Sequence, residues 1–360
     1  MHIGVDGSFW GGQERGVAVS TRRFWSSYLE QTAKPHVTIF AAAGHEQQMP
    51  HASFVPVGPL SSLPRIAWQQ FVLPRLIRDR DIEFLHCPNY TAPVASNCKV
   101  ILTVHDLIVW THPQLVSWLN IAHFRMLVGR SIRRADAVCV PTAFVRQAII
   151  DRFGIAPRKV FIVPWGVNAE LPVWSRETAL GEVERRFNVT DPFVLFCGCI
   201  ERKKNLETAV QACGQAGLRL LIVGPSISGS KRMLSRQSTS SRWDYLGYVS
   251  ARDLSALYAA AEALIAPSYA EGFGMPAIEA MSLGCPVVAA DFPAFREVYG
   301  AAAIYASCSD SAAFARALRS VVTDQDLRNS LVDRGRAQAQ NFTWTNSVSR
   351  FSEALHYATH

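Results

Sequence analysis

Two glutamates, Glu271 and Glu279, stand in the stretch YAEGFGMPAIEAMSLGCPVVAAD, residues 269–291. An apolar strand pattern precedes them, and a glycine-rich turn separates them. We expect Glu271 on the loop and Glu279 in the first turn of the next helix, which Pro276 would begin. Two carboxylates beside the amides of such a turn suit a ligand that is rich in hydroxyls and anionic. A helix cap with a plain surface loop explains Glu279, but it explains neither Glu271 nor the glycines.

A run of cations follows a second strand pattern, in FVLFCGCIERKKN, residues 193–205. Lys203 and Lys204 come directly after a strand that we expect to be buried, where open α/β sheets bind ligands. Cationic side chains at this place balance the charge that builds up on a departing diphosphate. The alternative is an ordinary charged run on the surface.

Glycines also follow the first strand pattern, in GSFWGGQERGVAVS, residues 7–20. Gly12 and Gly16 in such a strand-to-helix turn let backbone amides approach a phosphate, and the helix N-terminus adds partial positive charge. The spacing is neither G-x-G-x-x-G nor that of a P-loop. A flexible turn without a ligand is therefore the alternative.

A histidine and an aspartate, His105 and Asp106, follow the strand pattern VILTV. An imidazole at the carboxyl end of a strand can donate to a sugar hydroxyl or act as an acid or base. The alternative is a structural histidine that Asp106 holds in place.

Patterns for metal binding are weak. The two Asp-x-Asp triplets, 79–81 and 324–326, fall in polar stretches at predicted helix ends, so we interpret them as surface turns. The eight cysteines are scattered through apolar runs without a C-x-x-C pair, which is typical of reduced core residues in a cytoplasmic protein. A serine-hydrolase site is not indicated, because G-x-S-x-G is missing. We expect no metal and no resident cofactor.

Strand and helix patterns alternate along the chain and position these residues. Six short apolar runs in each half are separated by longer amphipathic segments, which predicts parallel sheets with crossover helices. The expected fold class is therefore α/β, with two Rossmann-like, doubly wound, parallel-sheet domains facing across a cleft. We place the first domain at residues 1–170 and the second at 171–344, and we expect a last helix at about 345–360 to cross back onto the first.

The positive charge is concentrated in the first half. Residues 1–168 hold 17 Lys and Arg against 10 Asp and Glu, whereas the remainder holds 19 of each, so the formal charge of +7 belongs to the first half. Such a surface attracts anionic membranes, phosphorylated substrates or nucleic acid, and we set nucleic acid aside because no recognition motif for it is found.

Two basic stretches suggest a membrane surface. Residues 63–80 and 115–134 mix Trp, Phe and Leu with arginine, as interfacial helices do, although core-facing amphipathic helices give the same pattern. No apolar run is long enough to span a bilayer, and the N-terminus has no signal-peptide pattern. We expect a cytoplasmic protein that is peripheral at the inner face of the membrane.

Taken together, these motifs resemble the family-4 retaining glycosyltransferases of the GT-B fold, and most closely a bacterial mannosyltransferase-like branch. The resemblance runs along nearly the whole chain. It is carried by GGQERGVAVST, LHCPNYTAP, VHDLIVWTHP, RADAVCVPTAF, VPWGV, GCIERKKNL, LGYVSARDLSALY, the E-x7-E block and NFTW. The chain departs from the family where Gly16 begins GVAVST instead of the usual G-I-G-R-Y-T, which concerns the acceptor side more than the donor side.

The resemblance implies a role for each candidate residue. His105 and Glu271 would contact the donor sugar, Glu279 would hold the ribose, and Lys204 would bind the diphosphate, together with Lys203 where the family usually has arginine. The remaining donor contacts would come from the turn Gly272, Phe273, Gly274 and Met275, and the phosphate and acceptor side from Gly12 and Gly16.

The resemblance also implies a reaction: retaining, metal-independent transfer of a sugar, with GDP-mannose the expected donor. The expected acceptor is a growing, lipid-linked glycan of a surface polysaccharide such as lipopolysaccharide. The first domain would take this acceptor. Alternatives on the same fold are a UDP- or dTDP-sugar donor, a sugar-nucleotide epimerase, a glycan phosphorylase, or an idle subunit that only binds sugar nucleotides.

Overall fold

The computed structural model of the chain describes residues 1–10, 16–32, 36–42, 49, 51–58, 62–116, 118–167, 171–226 and 242–360. The chain folds as two compact units. Unit 1 comprises Met1–Gly166 with Thr343–His360, and unit 2 comprises Val167–Phe342. The structural division thus lies a few residues before the position 170 at which the sequence pattern places it.

Unit 1 is built on a sheet of seven parallel strands. The strands are β1 His2–Gly7, β2 His36–Ala41, β3 Ser53–Pro56, β4 Phe84–Cys87, β5 Lys99–Thr103, β6 Ala137–Val140 and β7 Val160–Ile162. The helices are α1 Gly16–Gln31, α2 Ser62–Phe71, α3 Leu73–Arg78, α4 Ile108–Thr111, α5 Trp118–Arg134 and α6 Ala143–Phe153. The strand order is β3-β2-β1-β4-β5-β6-β7. The sequence pattern missed β3, a short edge strand with no buried residue.

Unit 2 is built on a sheet of six parallel strands. The strands are β8 Phe193–Cys197, β9 Arg219–Val223, β10 Trp243–Gly247, β11 Ala263–Ala266, β12 Val287–Ala290 and β13 Ala303–Ala306. The helices are α7 Arg176–Phe187, α8 Leu206–Ala216, α9 Ala251–Ala260, α10 Met275–Ser282, α11 Pro293–Tyr299, α12 Ser311–Thr323 and α13 Gln325–Ala339. The strand order is β10-β9-β8-β11-β12-β13. The predicted fold of two doubly wound parallel sheets is confirmed.

Burial on both faces explains why apolar runs form these strands. Every residue of β1, β4, β6 and β12 is buried, as expected for parallel strands that crossover helices cover on both sides. Some helices begin after a side chain that accepts from a free amide of the first turn, such as Ser175 before α7 and Ser250 before α9. Several end at a left-handed residue, such as Gly154 after α6.

The last helix, α14 (Trp344–Thr359), belongs to unit 1. Its Phe351 is buried against Phe24, Trp25 and Tyr28 of α1, with ring centroids 5.1 to 6.0 Å apart. At its start, Gly166 packs so closely on the backbone of Trp344 that a side chain at 166 would overlap it. Among the described residues, no helix is both long and apolar enough to cross a membrane.

Each sheet has one place where the strand order reverses, and these places position the candidate sites. In unit 1 the chain winds outward in opposite directions from β1 and β4, and in unit 2 from β8 and β11. Ligands of open α/β sheets bind beyond the carboxyl ends of the strands at such a switch point. The loops after β1, β4, β8 and β11 are therefore where chemistry is expected.

Candidate active site

The switch point of unit 2 brings Lys204 and Glu271 together. Lys204 ends the short 3-10 helix Arg202–Lys204 after β8, and Glu271 lies in the loop after β11. The lysine Nζ is 2.5 Å from the glutamate Oε1, and the side chains are only 15% and 11% exposed. An ion pair so shielded from solvent keeps much of its electrostatic strength. The two loops thus meet in an ion pair, which places a cation and a carboxylate side by side.

Backbone contacts hold this pair in place. Asn205, buried and left-handed with φ 54°, donates its side-chain amide to the carbonyls of Pro267 and Cys308, at 3.0 and 2.7 Å. The Tyr269 amide donates to the Lys203 carbonyl at 2.9 Å. These bonds tie the loop after β8 to the loop after β11. Asn205 was not among the residues predicted from the sequence. An asparagine before a helix is nevertheless a signal, because few other residues adopt this backbone conformation without strain.

The glycine turn is shaped by aromatic side chains. Gly274 has a φ of 85°, and a Cβ there would collide with the hydroxyl of Tyr299. That hydroxyl donates to the Gly274 carbonyl at 3.0 Å. Phe273 is buried and packs edge-on against Phe342, with centroids 5.3 Å apart. The turn is therefore held in one conformation, and the role of Tyr299 depends on a packing contact that no local pattern signals.

Helix α10 follows the turn and begins at Met275, one residue before the predicted start. The prediction that Glu279 lies in the first turn of this helix is wrong, because the earlier start moves it into the second turn. The favourable effect of the helix dipole on a carboxylate falls off within the first turn. Capping consequently does not explain Glu279.

A small pocket adjoins the ion pair. Its lining includes Lys204, Ser268, Gly274, Tyr299 and Cys197. Burial raises the pKa of the Cys197 thiol to about 12, and the nearby Glu279 carboxylate adds to this rise. The thiol therefore stays protonated at neutral pH and is a poor nucleophile. Lys204 is the charged side chain among the residues that line this pocket.

His105 lies in unit 1, in the loop after β5. It is 8% exposed, and its ring stacks on Trp165 at 5.5 Å and meets the edge of Tyr90 at 5.1 Å. Its Nε2 lies 2.7 Å from the Pro88 carbonyl oxygen. Because a carbonyl only accepts, Nε2 carries a proton and donates this hydrogen bond. The ring is thus fixed in orientation.

The remaining predicted residues fall in different places. Lys203, with its Nζ 3.5 Å from Glu201, and the whole turn from Gly272 to Met275 lie with the ion pair in unit 2. Gly16 is the exposed first residue of α1 in unit 1, and a Cβ there would meet nothing within 4 Å. Gly12 lies outside the described residues.

The Asp-x-Asp triplets have local structural roles. Asp324 accepts from the amide of Leu327 and caps α13, and Asp81 has a left-handed backbone after α3. The eight cysteines are free thiols. Within the described part of the chain, no group of three His, Cys, Asp or Glu side chains is arranged to hold a metal ion.

Comparison with known proteins places this chain in a family. The profile of glycosyltransferase family 4 matches residues 15–171, and that of the glycosyl transferases of group 1 matches residues 182–338. The O-antigen chain mannosyltransferase B of Escherichia coli is 27% identical over 283 residues, which cover 76% of this chain and 74% of that protein.

Solved structures agree on the fold. Sucrose-phosphate synthase from Thermosynechococcus elongatus has a TM-score of 0.80 at 21% identity and covers 99% of this chain, as this chain covers 98% of it. HepE of Anabaena, solved with UDP and glucose, has a TM-score of 0.79 at 18% identity, with 99% of each chain covered. With two family profiles spanning most of its length, the chain belongs to the family-4 glycosyltransferases and carries a group 1 glycosyl transferase domain in unit 2.

Proposed function

We propose that this glycosyltransferase moves mannose from GDP-mannose onto a growing, lipid-linked glycan that becomes surface polysaccharide. The observation that carries the proposal is the shielded pair of Lys204 and Glu271 at the switch point of unit 2. The name of the Escherichia coli relative, an O-antigen chain mannosyltransferase, supports both the sugar and the class of acceptor.

In the proposed reaction, the bond between the anomeric carbon and the donor phosphate oxygen breaks, and its electron pair leaves with the diphosphate. The anomeric carbon bonds to an acceptor hydroxyl on the same face, so configuration is retained. The hydroxyl proton passes to the departing phosphate oxygen. This route needs positioning and charge stabilisation more than a strong protein base, and it needs no metal ion.

Lys204 is the proposed partner of the departing diphosphate, with Lys203 as a second cation. The ammonium of Lys204 is already desolvated beside Glu271, so little reorganisation is required when negative charge develops next to it. The start of α10, presented by the rigid Gly274 turn, adds backbone donors and a partial positive charge on the same side.

The two carboxylates are proposed to accept hydrogen bonds from the hydroxyls of the donor. Glu271 would accept from the sugar, helped by the amides of Gly272 to Met275, and Glu279 would accept from the ribose. His105 would reach the donor sugar from unit 1, and Gly12 and Gly16 would line the acceptor side. Unit 2 is thereby the donor unit and unit 1 the acceptor unit.

The test compares Glu271→Gln and Lys204→Ala with Arg185→Ala. Arg185 forms an exposed ion pair with Glu182 in the same unit and serves as the control. We expect both site variants to reduce transfer at least about 100-fold, while circular dichroism shows a folded protein and the control keeps the wild-type rate. Wild-type rates in both site variants would refute the site assignment.

The donor is tested with a panel of GDP-, UDP- and dTDP-sugars. At equal concentrations, the sugar nucleotide that binds most tightly raises the melting temperature most. UDP-glucose is the second candidate, since HepE was solved with UDP and glucose. Product formed from a sugar nucleotide alone would instead indicate an epimerase, and binding without turnover of any acceptor an idle subunit.

A peripheral membrane contact is part of the proposal. The junction of α2 and α3 exposes Phe71 and Val72, which are 71% and 40% accessible, next to the exposed Arg75 and Arg78. The buried Leu73 and Ile77 give the same segment a core face. Exposed apolar and cationic side chains together suit an anionic bilayer at the cytoplasmic face. Flotation with phosphatidylglycerol vesicles, compared with phosphatidylcholine vesicles, should show selective binding that Phe71→Ser weakens.

A further inference from the structure

The switch point of unit 1 holds a polar cluster that the proposed chemistry leaves unused. Asp6 lies in β1 near its end, Thr91 follows β4, and Gln69 of α2 lies between them. Asp6 is 2% exposed, Thr91 3% and Gln69 0%. Polar groups buried to this degree normally have hydrogen-bond partners, because an unsatisfied one is costly.

One amide links the two strand ends. The Gln69 Nε2 donates to Asp6 Oδ2 at 2.6 Å and to the Thr91 carbonyl at 2.8 Å. Both partners only accept at these atoms, so the amide cannot be turned over, and Oε1 must point away from them. Asp6 is satisfied on its other side by the hydroxyl and the amide of Ser8, at 2.6 and 3.1 Å.

Two polar atoms of the cluster, and one of the nearby Arg65, remain without a partner. Gln69 Oε1, Thr91 Oγ1 and Arg65 Nη1 are buried, and among the described residues no hydrogen bond reaches them. Arg65 stands one helical turn before Gln69 on α2, on the same face. Burial and Asp6 raise the pKa of the Cys87 thiol well above its usual value, and the charge of Arg65 lowers it. The Arg65 guanidinium therefore lies near the end of β4.

The three atoms define the chemistry of the missing partner. Gln69 Oε1 accepts, Arg65 Nη1 donates, and Thr91 Oγ1 does either. An anion would be repelled by Gln69 Oε1 and the Asp6 carboxylate, and a cation would be repelled by Arg65. A neutral hydroxyl, which donates once and accepts from two sides, matches all three atoms. Gln69 and Thr91 are buried whereas Arg65 is only partly buried, so a group would enter from the side of Arg65.

We propose that Arg65, Gln69 and Thr91 form an acceptor subsite that holds one hydroxyl of the acceptor sugar. The inference rests on the proposed transfer reaction and deepens it, because it assigns the acceptor a definite place at the switch point of unit 1. A buried water has the same hydrogen-bonding chemistry, and the experiment distinguishes the two.

Thr91→Val is the most informative variant. It removes only the unpartnered hydroxyl and keeps the carbonyl that Gln69 contacts, so the melting temperature should not fall. Thr38→Val is the matched control, because the buried Thr38 hydroxyl is 2.8 Å from His2 Nε2. We expect the control to lower the melting temperature without changing sugar binding. Arg65→Met removes the charged donor.

The probes are the methyl glycosides of mannose, glucose, galactose and N-acetylglucosamine, with binding followed by ligand-detected NMR. GDP binding is measured separately by calorimetry. We expect Thr91→Val to weaken the bound glycoside about fivefold and Arg65→Met more than about tenfold, with GDP affinity unchanged.

Two results would overturn the subsite: no glycoside binding by the wild type, or wild-type glycoside affinity in Thr91→Val, which would indicate a structural water. Failure of GDP and of every sugar nucleotide to bind would instead refute the proposed donor, and the glycoside measurement would still decide the subsite.

Discussion

The two switch points of this chain share a topology and differ in chemistry. In unit 2 the loops after β8 and β11 meet through full charges, Lys204 and Glu271, at 2.5 Å. In unit 1 the ends of β1 and β4 are joined by a neutral amide, Gln69, in a sealed network. A lysine stabilises an anion by charge pairing, whereas an amide and a hydroxyl form hydrogen bonds with uncharged partners. This difference between equivalent places in two similar sheets is what the proposed division between a donor unit and an acceptor unit requires.

Gly274→Ala should have the largest effect, because it destroys the turn on which the unit 2 site depends. The left-handed φ and the collision with Tyr299 together should cost about 4 kcal/mol of unfolding free energy. Urea unfolding measures this loss, and GDP binding should disappear with it. Gly181→Ala in α7 is the control, since nothing lies within 4 Å of that position. Equal losses in both variants would show that the turn is not specially constrained.

The second largest effect should come from acid, which we expect to destabilise unit 1 more than unit 2. All ten histidines of the sequence fall in unit 1 and none in unit 2. Burial lowers the pKa of His86 from 6.5 to about 3, and Trp25 donates to its Nδ1. Below pH 6.5 the His86 side chain is therefore protonated in the unfolded chain but stays neutral in the folded chain until the pH approaches 3. This stabilisation is complete above pH 6.5 and declines as pH falls towards 3, by about 3 kcal/mol at about pH 4.

Hydrogen exchange, corrected for the intrinsic rate at each pH, reports on the two units separately. Unit 1 amides should lose protection on acidification before unit 2 amides, and His86→Gln should flatten the change. Parallel losses in both units would contradict the role of His86.

Gln69→Leu should cost about 2 kcal/mol, since it removes two buried hydrogen bonds and leaves the Asp6 carboxylate with Ser8 alone. Gln70→Leu is the neighbouring control: its amide also bonds to the backbone, at Ala92 and Val94, but the residue is partly exposed and should cost less. Urea midpoints rank the two. A larger loss in Gln70→Leu than in Gln69→Leu would contradict the claim that the buried network of Gln69 matters more for stability than the partly exposed bonds of Gln70.

Replacing both members of the unit 2 pair should have the smallest effect on stability. Lys204→Met with Glu271→Gln leaves no charge unpaired, so we expect a change below about 1 kcal/mol, and less than for Lys204→Met alone. Thermal unfolding of the single and double variants measures this difference. A large loss in the double variant would mean that the pair stabilises the fold rather than serving a ligand.

Much of the fold could be predicted from the sequence, because buried parallel strands leave a strong apolar signal. Edge strand β3 has no such signal, since its residues are exposed or half-buried. Lys204 and Glu271 could each be singled out by the strand that precedes them. Their contact could not, because it requires β8 and β11 to be neighbours. The roles proposed for these residues remain predictions.

The other misses have specific causes. Glu279 falls in the second turn of α10 instead of the first because the helix begins one residue earlier than predicted, at Met275. Tyr299 and Gln69 act through contacts distant in sequence, and glutamine in an amphipathic helix looks like any surface residue. Such residues are found only once the strands are ordered in space.

Helix α14 also has a consequence for how the chain is made. Unit 2 is one continuous segment inserted into unit 1, and the Val167 amide pairs with the Phe342 carbonyl where the insertion begins and ends. On the ribosome, unit 2 is complete before Phe351 emerges to finish the aromatic core of α1. Domains generally fold as units during synthesis. Unit 2 should therefore mature first, while unit 1 waits as an unfinished nascent chain that exposes Phe24 and Trp25 to chaperones.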